Sequence, residues 1–334
     1  MLLTKNEEIE ACLPTSKWDD ADRLLGLVEE EEEHVVVPIL GRELYEYLVA
    51  QYEELVSSLG DISATNESLS REEVTDEIRI IRLCQKIQLY MALANNAGLL
   101  AVSFNPGGGL NVASAEYYDK ADKESINRFE RDAWKKAHRN VDTLLSLLER
   151  DAQSAEPKFA EMWKKSRYFY LRGDLLFTTA VQMQDYIDIK ESREKFIELI
   201  PDIKYCQSVF IETEVGSELL DAFVRTATDA EVIPEGQSEV WREAMDRLRT
   251  ALAHYVAQEN EKLRKGNSLP NAELSRARAL RYITEHQEAF LPHIETSPLY
   301  VKTEEVEETE KRMPREDEYR PQAVFVLKPN LYRK

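Results

Sequence analysis

The amino-acid sequence predicts a mainly α protein with two tandem helical-bundle units, a short β element and an extended C-terminal arm. Three observations lead to this prediction. Apolar residues recur at helical spacing through most of the chain, one stretch of the first half matches a stretch of the second half, and the helical spacing stops after residue 295. We place the two units at residues 1–155 and 156–295, and the arm at residues 296–334.

Two long helices are predicted in the first unit. The first has two adjoining apolar stripes, which is typical of a central, mostly buried helix. Its main stripe consists of Ile80, Cys84, Ile87, Met91, Ala94 and Gly98. The second helix is predicted from one apolar face made of Ile126, Phe129, Ala133, Ala137, Val141, Leu144 and Leu148.

Shorter signals complete the secondary-structure prediction. Pro38 disfavours one straight helix through its neighbourhood, because proline lacks an amide hydrogen and clashes with the preceding turn. The alternating pattern from Phe177 to Met183 predicts a short strand. Asn271 is a candidate N-cap for a last helix that carries Ala277, Leu280, Ile283 and Phe290.

The internal repeat is the most informative feature of the sequence. A shift of 175 residues (216 − 41 = 175) places Gly41 on Gly216. Residues 40–44, Leu-Gly-Arg-Glu-Leu, then match residues 215–219, Val-Gly-Ser-Glu-Leu, and the helical apolar positions on both sides also match. A glycine at both places predicts a helix end with positive φ or a close helix crossing. We therefore interpret the chain as a duplicated helical unit with structural turns at Gly41 and Gly216.

The charge balance limits the possible partners. The chain carries 43 Lys and Arg against 63 Asp and Glu, a formal net charge of −20. Wrapping of duplex DNA is disfavoured, because phosphate contacts need a cationic face. An acidic protein can still surround DNA without gripping it. No apolar run approaches the ~20 residues that a membrane span needs, so we expect no membrane partner.

Cysteine usage and the N-terminus bear on the compartment. Cys12, Cys84 and Cys206 are far apart in sequence, which predicts neither a disulfide framework nor a metal knuckle and favours a reducing compartment. The first residues lack the basic and apolar regions of a signal peptide.

Motifs that could carry chemistry are weak. Gly107–Gly109 lacks the Lys-Ser or Lys-Thr that a phosphate-binding loop requires, so a loop is favoured there. Glu31 and His34 form a single Glu-x-x-His within an acidic run, and a di-iron site needs two such pairs. We interpret that run as a solvated acidic face, and we expect no catalytic residue, no cofactor and no metal.

An aromatic cluster with interleaved basic residues allows two interpretations. Trp163, Tyr168, Phe169 and Tyr170 could stack nucleic-acid bases, with Lys164, Lys165, Arg167 and Arg172 beside them. The favoured alternative is a buried segment whose basic side chains extend outward.

The arm combines an acidic, proline-bearing first part with a β-prone end. Its apolar run, Val324, Phe325, Val326 and Leu327, is the predicted partner-binding anchor. One interpretation is that the run adds a strand to a neighbouring subunit. The other, equally weighted, is an edge strand against the chain's own body.

The order of helix, Leu-Gly turn, short helix, long helix and glycine-bearing loop resembles the head–tail connector (neck, or adaptor) proteins of tailed bacteriophages. The resemblance is carried by residues 35–48 (Val-Val-Val-Pro-Ile-Leu-Gly-Arg-Glu-Leu-Tyr-Glu-Tyr-Leu), 92–97 (Ala-Leu-Ala-Asn-Asn-Ala) and 210–220 (Phe-Ile-Glu-Thr-Glu-Val-Gly-Ser-Glu-Leu-Leu). This chain departs from the usual connector in being duplicated and in having the long arm.

The resemblance implies a structural ring in the virion neck, between portal and tail, that lines or seals the DNA exit channel. It further implies assembly in the host cytoplasm as a cyclic homo-oligomer. The expected partners are the portal, other neck and tail proteins, and passing duplex DNA without specific binding. The alternative hypothesis is an intracellular helical-repeat scaffold that binds partner proteins. Formation of a closed ring distinguishes the two.

Overall fold

The computed structural model describes residues 1–13, 22–59, 74–100, 102–104, 110–112, 122–226, 232–260, 263 and 271–301. This part of the chain is mainly α-helical, as predicted. It divides into two compact units, one formed from residues 1–205 and 259–266 and the other from residues 206–258 and 267–334. The sequence boundaries at 155 and 295 follow the internal repeat instead, and they remain a prediction.

The first unit contains most of the helices. A π-helical segment, π1, separates α2 from α3, and a two-stranded antiparallel hairpin pairs Val102 with Val112. In chain order the elements are α1 (Asn6–Cys12), α2 (Asp22–Glu31), π1 (Glu32–Val36), α3 (Val37–Leu40), α4 (Arg42–Leu59), α5 (Asp76–Asn95), α6 (Ala97–Leu100), β1 (Val102–Phe104), β2 (Leu110–Val112), α7 (Lys123–Ala152), α8 (Ala160–Trp163), α9 (Ala180–Gln184) and α10 (Arg193–Cys206).

The long pair α5 and α7 organises the first unit. Thr75 caps α5 by accepting a hydrogen bond from the Ile78 amide, and Asp122 caps α7 from the Ser125 amide. α5 packs along α7 and α2, and α1 also contacts it. The predicted main stripe of α5 is buried from Ile80 to Ala94. α5 is therefore the central helix that its two stripes predict.

The second unit begins with π2 and is built around α13. Asn271 caps α14 through the Leu274 amide, which confirms that prediction. Trp241 contacts the rings of Phe223 and Phe290 and donates a hydrogen bond from Nε1 to the Ala289 carbonyl oxygen, at 2.8 Å. The elements are π2 (Gln207–Glu212), α11 (Thr213–Val215), α12 (Ser217–Arg225), α13 (Ser238–Glu259), α14 (Ala272–Glu285) and a 3₁₀ turn (Gln287–Phe290).

One local prediction was wrong. Residues 177–183 do not form a strand, because Thr179 caps the helix α9 by accepting from the Gln182 amide and the segment turns helical from Ala180. At Pro38 the chain is not one continuous α-helix, since α2 is followed by π1 and then by the short helix α3. Pro38 lies in the first turn of α3, where a missing amide hydrogen is tolerated.

Candidate functional site

Gly41 and Gly216 have nearly the same backbone conformation. Their φ and ψ angles are 79° and 151°, and 87° and 148°. This combination of angles is accessible almost only to glycine. Each glycine ends a short helix that directly follows a π-helical segment, π1 in one case and π2 in the other. Because π-helices are rare, their presence at corresponding distances from both glycines marks these as matched turns.

A serine-bearing segment packs closely on Gly41. A Cβ atom at Gly41 would lie 3.2 Å from Ser166 Cα, so no larger residue fits without displacement. The Ser166 hydroxyl lies 2.7 Å from the Ile39 carbonyl oxygen, and Trp163 Nε1 donates to the same oxygen at 3.2 Å. The end of α3 is therefore capped by a segment more than 120 residues away in sequence.

The corresponding serine in the second unit is Ser297. A Cβ atom at Gly216 would lie 3.2 Å from Ser297 Cα. Ser297 Oγ accepts from the amide two residues later, Leu299, at 3.1 Å, as Ser166 Oγ accepts from Tyr168 at 3.0 Å. The serine amides also donate to the carbonyl oxygen three residues earlier in both places. The two turns thus share their backbone angles, their close contact and their local hydrogen bonds.

The flanking polar contacts also correspond. Glu43, two residues after the first glycine, forms an ion pair with Lys165. Glu218, two residues after the second, accepts a hydrogen bond from Thr296 Oγ1 at 2.8 Å. The glutamate that recurs in the sequence repeat therefore contacts the serine-bearing segment in both units.

A buried polar cluster attaches the N-terminal segment to the first unit. The Glu8 carboxylate accepts hydrogen bonds from Tyr52 Oη at 2.8 Å and from Gln85 Nε2 at 3.1 Å. Glu32 accepts from the Leu2 amide at 2.7 Å. Both carboxylates are almost fully buried. Burial raises the pKa of Glu32, and the Leu2 hydrogen bond opposes that shift.

The acidic run at residues 29–33 is only partly solvated, which corrects the sequence interpretation. Glu29, Glu30 and Glu33 are exposed, whereas Glu31 and Glu32 are buried. Glu31 accepts from Asn95 Nδ2 at 2.6 Å, so it has a structural partner. Among the described residues, no group of three or more His, Cys, Asp or Glu side chains could hold a metal ion.

The aromatic cluster is not arranged as a base-stacking platform. Trp163 and Tyr170 are fully buried, and their rings meet edge to face at 5.7 Å. Tyr170 donates to Glu149, which also pairs with Arg193 Nε at 2.8 Å. The interleaved basic residues are exposed, as the favoured alternative predicts: Lys164, Lys165, Arg167 and Arg172.

The solvent-facing side of α7 carries a feature that the sequence analysis missed. Arg128, Arg131, Lys135 and Arg139, spaced i, i+3, i+7 and i+11, are all exposed on the side opposite the buried residues of that helix. We call these four residues the basic stripe. Their spacing was visible in the sequence as a helical period of cations within an acidic chain.

Two predicted features lie outside the described residues. They are the anchor, Val324, Phe325, Val326 and Leu327, and the loop at Gly107–Gly109.

Comparisons with known proteins identified no relative of this chain. No family model, no curated protein and no solved structure matches this chain. Across the described residues, no helix has both the length and the apolar character needed to cross a membrane.

We expect Gly41→Ala and Gly216→Ala to destabilise the protein by roughly 1–3 kcal/mol each, because both place a Cβ atom in a strained conformation against serine backbone. Gly26→Ala is the matched control. Gly26 lies inside α2 with open space around it, so the substitution should be neutral or stabilising by up to about 1 kcal/mol. Urea unfolding followed by circular dichroism measures all three. A Gly41→Ala variant as stable as Gly26→Ala would contradict this account.

We expect Glu32→Gln to gain stability relative to the parent protein as pH rises. The pKa of Glu32 is raised in the folded state, so its favourable contribution is complete below the unfolded-state pKa and is lost as pH increases through the folded-state value. Unfolding midpoints of parent and variant between pH 4 and pH 8 measure the difference. Glu30→Gln, which removes an exposed carboxylate from the same acidic run, is the matched control, and a difference that shrinks with pH would show the opposite sign of shift at Glu32.

Proposed function

We propose that this protein is a structural component of a tailed-bacteriophage virion and forms part of the neck, the head–tail connector ring between portal and tail. In this role it lines or seals the DNA exit channel and has no catalytic residue. The observation that carries the proposal is the pair of matched glycine turns at Gly41 and Gly216, at the positions on which the connector resemblance rests.

The matched turns support a tandem duplication. Similar apolar spacing alone can arise by chance between two amphipathic helices. A π-helical segment, a glycine with positive φ, a glutamate two residues later and a serine against the glycine form a more specific combination. A chain with two connector-like units would fill two positions in one ring, or contribute to two tiers.

The composition supports a channel role. A net charge of −20 disfavours tight contact with phosphates, so duplex DNA can pass an acidic lining without being held.

The alternative is a helical-repeat scaffold that binds partner proteins inside the cell. The burial of Trp163 and Tyr170 removes the nucleic-acid platform from consideration but does not separate the ring from the scaffold. Closed cyclic symmetry does separate them, because a neck component must surround a central channel and a scaffold need not.

The direct test is electron microscopy of the purified full chain, alone and after mixing with a portal protein. We expect closed rings with a central opening wide enough for duplex DNA, about 20 Å across. Mass photometry on the same samples gives the subunit number. A monomer that neither closes into rings nor binds the portal would favour the scaffold.

We expect deletion of residues 320–334 to leave the helical circular dichroism unchanged and to abolish incorporation into the assembly. The physical reason is that the anchor, Val324 to Leu327, can bury about 1.5–3 kcal/mol of apolar surface per large side chain on a partner. Deletion of residues 331–334 alone keeps the anchor and serves as the control. Unfolding of the longer truncation would instead place the anchor in the chain's own core.

A further inference from the structure

We propose that the basic stripe on α7 is the docking surface for the acidic segment of the C-terminal arm of a second copy of this chain. The segment in question is residues 304–310, Glu-Glu-Val-Glu-Glu-Thr-Glu. The inference rests on the assembly that the proposed function requires, and it names the surface on which the arm docks.

The basic stripe lies on a long helix and is accessible to solvent. α7 is 30 residues long, yet its fully buried side chains begin only at Ala133. Residues 123–132 are exposed except for the half-buried Ile126. The side chains of Arg128 and Lys135 are 69% and 73% exposed, so a partner can reach them from solvent. The first three turns of this helix therefore present a solvent-exposed face.

The charges of the stripe are largely uncompensated. Arg128 and Lys135 have only distant ion pairs on their own helix, both at 3.9 Å, with Glu124 and Asp132. Such exposed pairs contribute little. Arg131 and Arg139 form no side-chain ion pair with any residue in the described part of the chain. Residues 123–139 carry six cations against three acids: Lys123, Arg128, Arg131, Lys135, Lys136 and Arg139 against Glu124, Glu130 and Asp132.

The acidic segment complements the stripe in charge and in length. It holds five glutamates and no basic residue within residues 304–310. Six residue steps of extended chain span about 20 Å. The eleven steps from Arg128 to Arg139 along a helix span about 16 Å. An extended segment laid along the stripe can therefore bring a glutamate to each of the four cations.

The stripe fits a peptide better than it fits duplex DNA. Phe129, on the same turns, is 46% exposed and can contact an apolar side chain such as Val306 of the segment. A phosphate backbone offers no equivalent partner for that ring.

The test uses two full-length variants that each carry one added surface cysteine. The three native cysteines are buried, so they do not compete. Arg131→Cys chains are mixed with Glu307→Cys chains under mild oxidation. A disulfide between the two variants can form only between different molecules. We expect a heterodimer band on a non-reducing gel, at least about tenfold stronger than the band formed when Arg242→Cys replaces Arg131→Cys. Arg242 is an exposed arginine on α13 and is the matched control.

A charge exchange then tests whether the contact is electrostatic. Adding Arg128→Glu, Lys135→Glu and Arg139→Glu to the Arg131→Cys chain should abolish the heterodimer band. Changing the remaining glutamates of the arm segment to lysine in the Glu307→Cys chain should restore it. Circular dichroism of each variant shows that the helices persist. Loss without restoration would overturn the proposal.

The remaining outcomes separate the competing occupants. A chain with both cysteines that forms only an intramolecular disulfide, with no heterodimer in the mixture, would assign the stripe to its own arm. Duplex-DNA binding that the three stripe substitutions abolish, again with no heterodimer, would assign it to DNA. Either result overturns the proposal. If the protein forms rings but the heterodimer band is absent, the docking proposal fails and the proposed function stands. If the heterodimer band is present but no rings form, the docking proposal stands and the proposed function fails.

Discussion

The conformation of the backbone at Gly41 and Gly216 is the constraint on which much of each unit depends. With φ near 80° and ψ near 150°, the chain leaves a short helix in a direction that other residues rarely adopt. The absence of a side chain then lets a distant segment approach within van der Waals contact. In the first unit that approach brings Ser166 and Trp163 to the carbonyl oxygen of Ile39, near the end of α3. The backbone conformation at this glycine therefore sets the direction in which the chain leaves α3 and also allows a distant segment to cap that helix.

Two buried carboxyl groups are a second constraint in the first unit. Glu8 and Glu32 are almost inaccessible to solvent, in a chain that has an excess of acids on its surface. Each is tolerated because hydrogen-bond donors reach it: Tyr52 and Gln85 for Glu8, and the Leu2 amide for Glu32. The groups that donate hydrogen bonds to these carboxyl groups come from α4, α5 and the N-terminal segment, so the cluster joins parts of the chain that are distant in sequence.

Periodicity predicted the central helices well because their burial is one-sided or nearly complete. The stripe of α5 from Ile80 to Ala94 and the cap at Asn271 needed only local information. The failures have nonlocal causes. Phe129 continues the apolar face of α7 but is exposed, since the buried part of that face begins only at Ala133. Local alternation at residues 177–183 was outweighed by the Thr179 cap.

The sequence predicted the two glycines of the candidate site but not the serines that pack on them. The repeat located Gly41 and Gly216, since a glycine at one offset within matched apolar spacing is a local signal. Ser166 and Ser297 could not be found in this way, because they are distant in sequence from the glycines and meet them only through tertiary packing. Glu31 and Glu32 appeared solvated because an acidic run gives no indication of which members have donors nearby.

The uneven packing of α7 has a consequence for the energetics of recognition. Forming the first turn of a helix is the unfavourable step, whereas extending an existing helix by a residue costs little. Ala137, Val141 and Leu144 hold the second half of α7 in the core, so the exposed first half grows from a helix that is already nucleated. A ligand that binds there meets a helix that is already formed. The loss of backbone entropy on association then falls mainly on the ligand, so a flexible charged segment must offset the cost of its own ordering through its contacts with the helix.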